Sequence, residues 1–362
     1  MRVVFGRGRL AEVSSEARAL GSRPLVVSGR HEAAAAERVA GELGDSLAGW
    51  IRQVAQHVPV ASAAQAIAAA RDGGADVVIS IGGGSATGLA KAVAREVGLP
   101  VLAVPTTYAG SEMTPVWGQS DEGGKTTGRD ERVLPRTVVY DPALTVSMPG
   151  ELTAASGMNA LAHAVESLYA LDSTELSRSV AEEAIRALTD GLPDAVSRPD
   201  DLGARTGTLR GAWLAGWALG ATTMGLHHKL AHLLGGRYRL WHAGVHSALL
   251  PQVTAFNAPS VGASLRSAAR ALGVAGPGLV ARALFDLARR LGAPTALAEL
   301  GLDRGALDEV STVVAAATIS NPRPLTEEAV ARVLRQAYVG ERPNPTPSCE
   351  APPTATLRER SL

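Results

Sequence analysis

Histidine changes protonation state near neutral pH and is also a common metal ligand. Five of the chain's eight histidines fall between residues 227 and 246: His227, His228, His232, His242 and His246. His228 and His232 are four apart, so they share one helix face. Gly235-Gly236 predicts the end of that helix, and a turn can bring His242, 14 residues beyond His228, back toward it. His163 and Asn159, one helical turn apart in Ser156-Gly-Met-Asn-Ala-Leu-Ala-His163, offer a second face. A single buried histidine is ordinary core, but five in 20 residues point to a site. That site is either a metal cage or a pocket for acid chemistry and anion binding. Lys229, Arg237 and Arg239 lie beside it and add positive charge.

A second constellation is made of backbone. Ser80-Ile-Gly-Gly-Gly-Ser-Ala-Thr-Gly-Leu-Ala-Lys91 joins an apolar run to a helical one. Gly82, Gly83 and Gly84 let the main chain approach a phosphate and point N–H groups at it. The helix dipole adds partial positive charge, and Ser85 is placed to cap the helix and donate to a phosphate oxygen. The spacing is neither Gly-x-Gly-x-x-Gly nor that of a P-loop NTPase. Alone it could be a tight turn; at a strand end in an alternating domain it reads as a phosphate site. Pro105-Thr-Thr-Tyr-Ala-Gly-Ser111 follows the next strand, and Thr106, Thr107 and Ser111 offer hydroxyls to a ribose or base. Where a strand-end carboxylate would bond the adenosine ribose, the chain has Ser28-Gly29-Arg30. Arg30 is a candidate for a 2′-phosphate, against an equally ordinary solvated arginine.

These groups need elements to carry them. In residues 1–150 short β-branched runs (25–28, 53–58, 76–81, 100–104) alternate with helical runs (31–43, 62–72, 86–97). That alternation predicts a doubly wound, parallel, Rossmann-like α/β domain. Residues 151–340 are dominated by helical runs and predict an all-α substrate domain, with helices at 155–171, 176–189, 205–222, 226–234, 264–272, 277–291 and 327–337. The proline-rich segment 341–362 reads as a disordered tail holding the one cysteine, Cys349. That single cysteine excludes an internal disulfide framework and fits a reducing cytoplasm. With 35 basic and 35 acidic side chains in 362 residues the formal charge is zero, which argues against nucleic-acid or anionic-membrane partners. No signal peptide is legible at the N-terminus, and the uncharged stretch from Gly211 to Leu226 is shorter than the roughly 20 residues of a spanning helix. Only three of the 35 basic side chains are lysine, namely Lys91, Lys125 and Lys229. Each sits in a motif segment, which marks them as places where an arginine fork does not serve.

With these residues in view, the sequence resembles the iron-containing (group III) alcohol dehydrogenase superfamily and, within it, the maleylacetate reductases, over residues 1 to about 340. The superfamily marks are Gly82-Gly83-Gly84-Ser85, the loop through Ser111-Glu112, and the His228/His242 pair. The closer marks are Gly110-Ser-Glu-Met-Thr-Pro-Val-Trp117, Lys125-Thr-Thr-Gly-Arg-Asp130, Leu226-His-His-Lys-Leu230 and Asn321-Pro-Arg-Pro324. The resemblance implies a cleft between the two domains and a homodimer. It also implies NADH or NADPH, held by Gly29, Gly82 to Ser85, Thr106, Thr107, Ser111 and Lys125. Metal-dependent members are expected to use an Asp and three His; the matching positions here are Asn159, His163, His228 and His242. Asn159 removes the only carboxylate of that set, so a divalent metal is not expected.

The implied reaction is reduction of the C=C bond of maleylacetate, a dicarboxylate, to 3-oxoadipate in aromatic catabolism. His163, His228 and His242 would surround the reacting carbons, with Asn159, Lys229, His232 and His246 in support. Trp241 and Gly244 stand where the family pattern has a proline and an acidic residue, which leaves open a related enone acid, including a biosynthetic one. A metal-dependent alcohol dehydrogenase is the main alternative.

Overall fold

The computed structural model describes residues 1–121 and 124–346; the side chain of Lys125, Cys349 and the rest of 347–362 lie outside the described residues, while 341–346, expected to be disordered, is tied down by Arg342 to Asp286 and by the Thr346 N–H to Gly278. The strands are β1 (Arg2–Phe5), β2 (Pro24–Ser28), β3 (Gly49–Ile51), β4 (Val77–Gly82), β5 (Val101–Pro105), β6 (Val116–Asp121), β7 (Gly124–Arg129) and β8 (Thr137–Tyr140). Six of them form one parallel sheet in the order β1-β8-β5-β4-β2-β3. The helices interleaved with it are α1 (Val13–Arg18), α2 (Ala33–Leu43), α3 (Val60–Asp72) and α4 (Gly84–Val97).

Both faces of the sheet are covered, which is why its strands read as continuous apolar runs. Val26, Ile79, Ile81 and Leu102 pack with Val13, Ala36 and Val39 on one side. Their neighbours Leu25, Val27, Val78 and Val101 pack with Ala63, Ala66, Leu89 and Val93 on the other. From β2 the chain steps outward to β3, then crosses back to β4 on the far side of β2. The topological switch point therefore lies between the C-terminal ends of β2 and β4, where ligands bind in such sheets.

The remaining helices are α5 (Gly150–Tyr169), α6 (Glu175–Ser197), α7 (Leu202–Ala221), α8 (Leu226–Arg237), α9 (His242–Ala271), α10 (Val280–Leu291), α11 (Ala306–Ala316) and α12 (Glu327–Val339). The fold is thus an N-terminal parallel α/β domain followed by a helical C-terminal one. A cluster of Ala103, Val138 and Tyr140 with Met158, Leu161, Leu188 and Leu209 ties the sheet to α5, α6 and α7. A second cluster joins α8, α9, α11 and α12. Among the described residues, no helix is long and apolar enough to cross a membrane.

Several expectations need correction. The strand expected over 53–58 is irregular chain that ends in left-handed His57 and Val58; the strand lies earlier, at β3. Helix α8 does not stop at Gly235-Gly236 but runs through both to Arg237. The helix expected over 264–272 is the last part of α9, which begins at His242 and holds Pro251 and Pro259, with a kink at Val261. The antiparallel ribbon β6–β7, the edge strand β1 and its neighbour β8 were not anticipated.

Candidate active site

The phosphate loop forms as the glycines demand. Gly82 ends β4 with φ 151°, and a Cβ there would lie 2.8 Å from that of Ala86. Gly83 is the N-cap of α4 and makes no side-chain cap, so Ser85 is not the cap but the second residue of the helix. The first N–H groups of α4 have no intrahelical acceptor and face outward from the strand end, a ready anion site. Thr107 closes the loop from above, 3.0 Å from where a Cβ on Gly83 would be. The Thr106 hydroxyl donates to Glu32 at 3.1 Å. Glu32, which sequence inspection did not single out, places its carboxylate over Gly29 and beside Gly82 at the switch point. Its signal was available: it is the N-cap of the helix that follows β2.

Ser111 also serves through its main chain. Its carbonyl accepts from the Lys91 ammonium at 2.7 Å, as do those of Thr114 and Val116. Lys91 is fully buried on α4, and burial pushes its ammonium down to about 7 while nearby Glu112 opposes this. A guanidinium has no room for the same three-carbonyl geometry, which accounts for lysine at this position. Lys229 is different. It stands exposed on α8, so no tight fit explains its identity. Arg237 is paired with Glu309 on the surface and is not held toward the histidines.

The histidines do converge. Asn159, His163 and Glu166 project from α5; His227, His228 and His232 from α8; His242 and His246 from the start of α9. Ring centroids are 5.1 Å apart for His163 and His228, 5.0 Å for His228 and His246, and 4.5 Å for His242 and His246. His232 joins through His228 at 6.1 Å and His242 at 5.9 Å. His227 Nε2 and His246 Nδ1 are 2.8 Å apart, and His246 Nε2 lies 3.2 Å from His242 Nε2, so one imidazole of each pair donates to the other. Gly110, with φ 75°, brings the 105–114 loop against this cluster: a Cβ on it would lie 3.1 Å from His163 Nδ1.

Glu166 organises the arrangement and was overlooked, although its three-residue spacing from His163 places it on the same helix face. Its buried carboxylate accepts the backbone N–H of His227 at 2.9 Å and of His228 at 3.3 Å, capping the otherwise uncapped N-terminus of α8. It also accepts the Nδ1–H of His228. That bond fixes the tautomer of His228 and leaves Nε2 for chemistry. His163, His227 and His246 are held well below the ordinary histidine range, first by burial and then by repulsion from neighbouring imidazoles.

Trp241 and Gly244 turn out to be one feature. A Cβ on Gly244 would lie 2.9 Å from the Trp241 ring and 2.8 Å from Leu300. The indole occupies space that only glycine leaves open.

Residues 1–142 match the iron-containing alcohol dehydrogenase family model, and residues 153–338 match the C-terminal model of the Fe-containing alcohol dehydrogenase family. The chain belongs to the iron-containing alcohol dehydrogenase family. It is an oxidoreductase. A maleylacetate reductase of Burkholderia cepacia is 49% identical over 344 residues, covering 95% of this chain and 97% of the relative. One of Sphingobium indicum is 47% identical over 342 residues, 94% and 96% of the two chains. A solved maleylacetate reductase from Agrobacterium tumefaciens superposes with a TM-score of 0.89 at 43% identity, covering 94% of this chain and 97% of its own.

The iron-containing alcohol dehydrogenase family implies a metal, and the donors here do not suit one. Asn159 Oδ1, His163 Nδ1 and His228 Nε2 are buried without a protein partner. Asn159 puts a neutral amide where a carboxylate would offset the charge of the ion, and the one nearby carboxylate, Glu166, is committed to α8 and His228. Among the described residues, no group of three His, Cys, Asp or Glu is placed to hold a metal ion. The glycine loop, by contrast, has the open cradle and unpaired N–H groups that a dinucleotide pyrophosphate requires.

Proposed function

We propose that this chain reduces the C=C bond of maleylacetate, or of a close unsaturated keto acid, to the 3-oxo product, using a nicotinamide dinucleotide and no divalent metal. The observation that carries the reading is the Asn159 amide beside the buried donors of His163 and His228, with Glu166 turned to His228 instead of into the pocket. Such a site stabilises charge with N–H groups, not with a Lewis acid.

Gly82, Gly83, Gly84 and Ser85 would hold the dinucleotide pyrophosphate, and a nicotinamide held there would supply the hydride for the alkene carbon β to the ketone. The chain's own residues handle the rest. As electron density moves onto the ketone oxygen, an N–H from the cluster stabilises it, and a proton passed from the cluster to the α carbon returns the enolate to the ketone and completes the reduction. His228 is the best placed, because a proton on Nε2 makes an imidazolium paired with Glu166 through Nδ1. His163, His227 and His246, kept neutral by burial, exclude water and leave the cluster free of competing positive charge. His242, half-exposed at the start of α9, connects His246 to the outside. The loop around Gly110 closes over His163 and is itself anchored by Lys91.

The test is NADH and NADPH oxidation with maleylacetate, with and without EDTA, beside metal analysis of the purified protein. Chelator-insensitive turnover by metal-free protein is expected. Chelator-sensitive turnover of simple alcohols, with metal at one equivalent, would instead establish the metal-dependent dehydrogenase reading, for which Asn159 Oδ1, His163 Nδ1 and His228 Nε2 are the available donors.

A further inference from the structure

The chain between β5 and β6, residues 106–115, touches both halves of the site. At its start Thr107 abuts Gly83 of the phosphate cradle, and at Gly110 its main chain abuts His163 Nδ1. It is held from two sides. On one side is α7: a Cβ on Gly216 would lie 3.0 Å from Gly110 Cα, and one on Gly220 would lie 2.6 Å from the Met113 carbonyl oxygen. Helix and loop backbones are thus in contact, and the loop has no room to move toward α7. On the other side is Lys91, fully buried about two turns beyond the first residue of α4. Its ammonium donates to the carbonyls of Ser111, Thr114 and Val116 at 2.7 Å each and reaches the Thr114 hydroxyl at 3.3 Å. Residues 111–116 therefore curl around one head group. The same turn is tied to β8 where Glu112 accepts from the Tyr140 hydroxyl at 2.8 Å. Arg95, one turn further along α4, stacks on Trp117 of β6 at 3.7 Å.

We propose that Lys91 is a positioning residue for hydride transfer: sealed beneath the 106–115 loop, it fixes the distance between the phosphate cradle at the head of α4 and the face of His163. The inference rests on the dinucleotide-dependent reduction above. The cradle is the first turn of α4, and the loop against His163 is attached to that same helix through a single ammonium. Without it, three carbonyls that point inward lack a donor, and buried acceptors in that state draw the backbone toward water. Glu112 and Arg95 still hold the loop's surroundings to β8 and β6, so the result is a displaced loop and not an unfolded domain. A displacement of about 1 Å between reacting groups costs about 100-fold in rate.

The experiment compares the full-length wild type with Lys91→Met, which keeps the apolar stem and removes the donors. Hydride transfer is followed in a single turnover, by mixing the enzyme–dinucleotide complex with saturating maleylacetate; NADH or NADPH is used, whichever the wild type oxidises faster. The rate should fall about 100-fold, while the amplitude per mole of folded protein and the dinucleotide affinity from fluorescence titration hardly move. A merely structural lysine would give the reverse, a smaller amplitude at an unchanged rate, and that result overturns the proposal. Lys91→Gln keeps one donor in the slot and should fall between the two; it also serves if Lys91→Met does not fold. Amide hydrogen exchange in the dinucleotide-free protein gives a readout without turnover. Exchange over 106–116 should quicken in either variant while β4 and α5 stay protected. An unchanged loop defeats this inference alone, whereas a wild-type chain that oxidises neither dinucleotide with maleylacetate defeats the reduction reading beneath it.

Discussion

The two halves of the molecule offer binding groups of opposite kinds. At the end of β4 the groups are backbone N–H donors, aimed by strand, turn and helix geometry. In the helical half they are side chains from α5, α8 and α9, brought together only by tertiary packing and fixed by one carboxylate. The first arrangement depends on what glycine lacks. The second depends on what each side chain touches. Binding and turnover should therefore separate by region.

The largest effect is expected at the keystone of the helical half. Glu166→Gln should lower kcat by about 100-fold or more, since a partner that orients a catalytic histidine typically matters that much. Dinucleotide affinity, followed by fluorescence titration, should hardly move; a matching loss of affinity would mean that the two halves are not separable. His228→Ala is expected to give a similar split.

The mirror experiment is Gly82→Ala. Backbone at φ 151° and a 2.8 Å approach to Ala86 make any Cβ strained there. A cost of about 1–3 kcal/mol should raise the KM for the dinucleotide by about 10- to 100-fold, with a smaller change in kcat at saturation. A fall in kcat alone would break the comparison.

Acid should discriminate the halves next. His163, His227 and His246 are neutral when folded but protonate near 6.5 when unfolded, so the unfolded chain takes up more protons. Stability is then fully present above about pH 6.5 and falls as the pH drops below it, by up to about 1.4 kcal/mol per pH unit for each histidine. Urea midpoints at pH 7.5 and 5.5 measure the slope, and His246→Phe should flatten it. An unchanged slope in that variant would remove His246 from the account.

The smallest effects distinguish the lysines. Lys91→Arg overfills a buried slot and should cost about 1–3 kcal/mol of stability. Lys229→Arg, on an exposed face, should stay within about 0.5 kcal/mol; a change in substrate KM with unchanged stability would give Lys229 the carboxylate-holding role.

What could be read in advance follows the same division. The runs at 25–28, 76–81 and 100–104 were legible as buried strands because both sheet faces are covered, and the glycine loop between β4 and α4 followed from local chemistry. Strands β1 and β8 were not, because four-residue strands carry too little periodicity. Gly235 and Gly236 read as a stop, yet α8 continues through them: the side chain of His242 packs against Gly235, and contacts of that kind override propensity. Pro251 and Pro259 hid a long helix for a similar reason. The histidines announced a site, but not Glu166, because a lone glutamate in a helix is ordinary until its partners are known.

The Trp241 and Gly244 packing has a consequence for history. Starting from a bulkier residue at 244, the indole could not have entered first, since Leu300 and the ring already crowd a single added carbon. The two positions constrain each other: the Trp241 ring in this place requires glycine at 244. Once both were present the way back closed, because enlarging residue 244 now collides with the ring and shrinking residue 241 leaves a hole. The two positions are epistatic, and a lineage that holds them is committed to this shape beside His242.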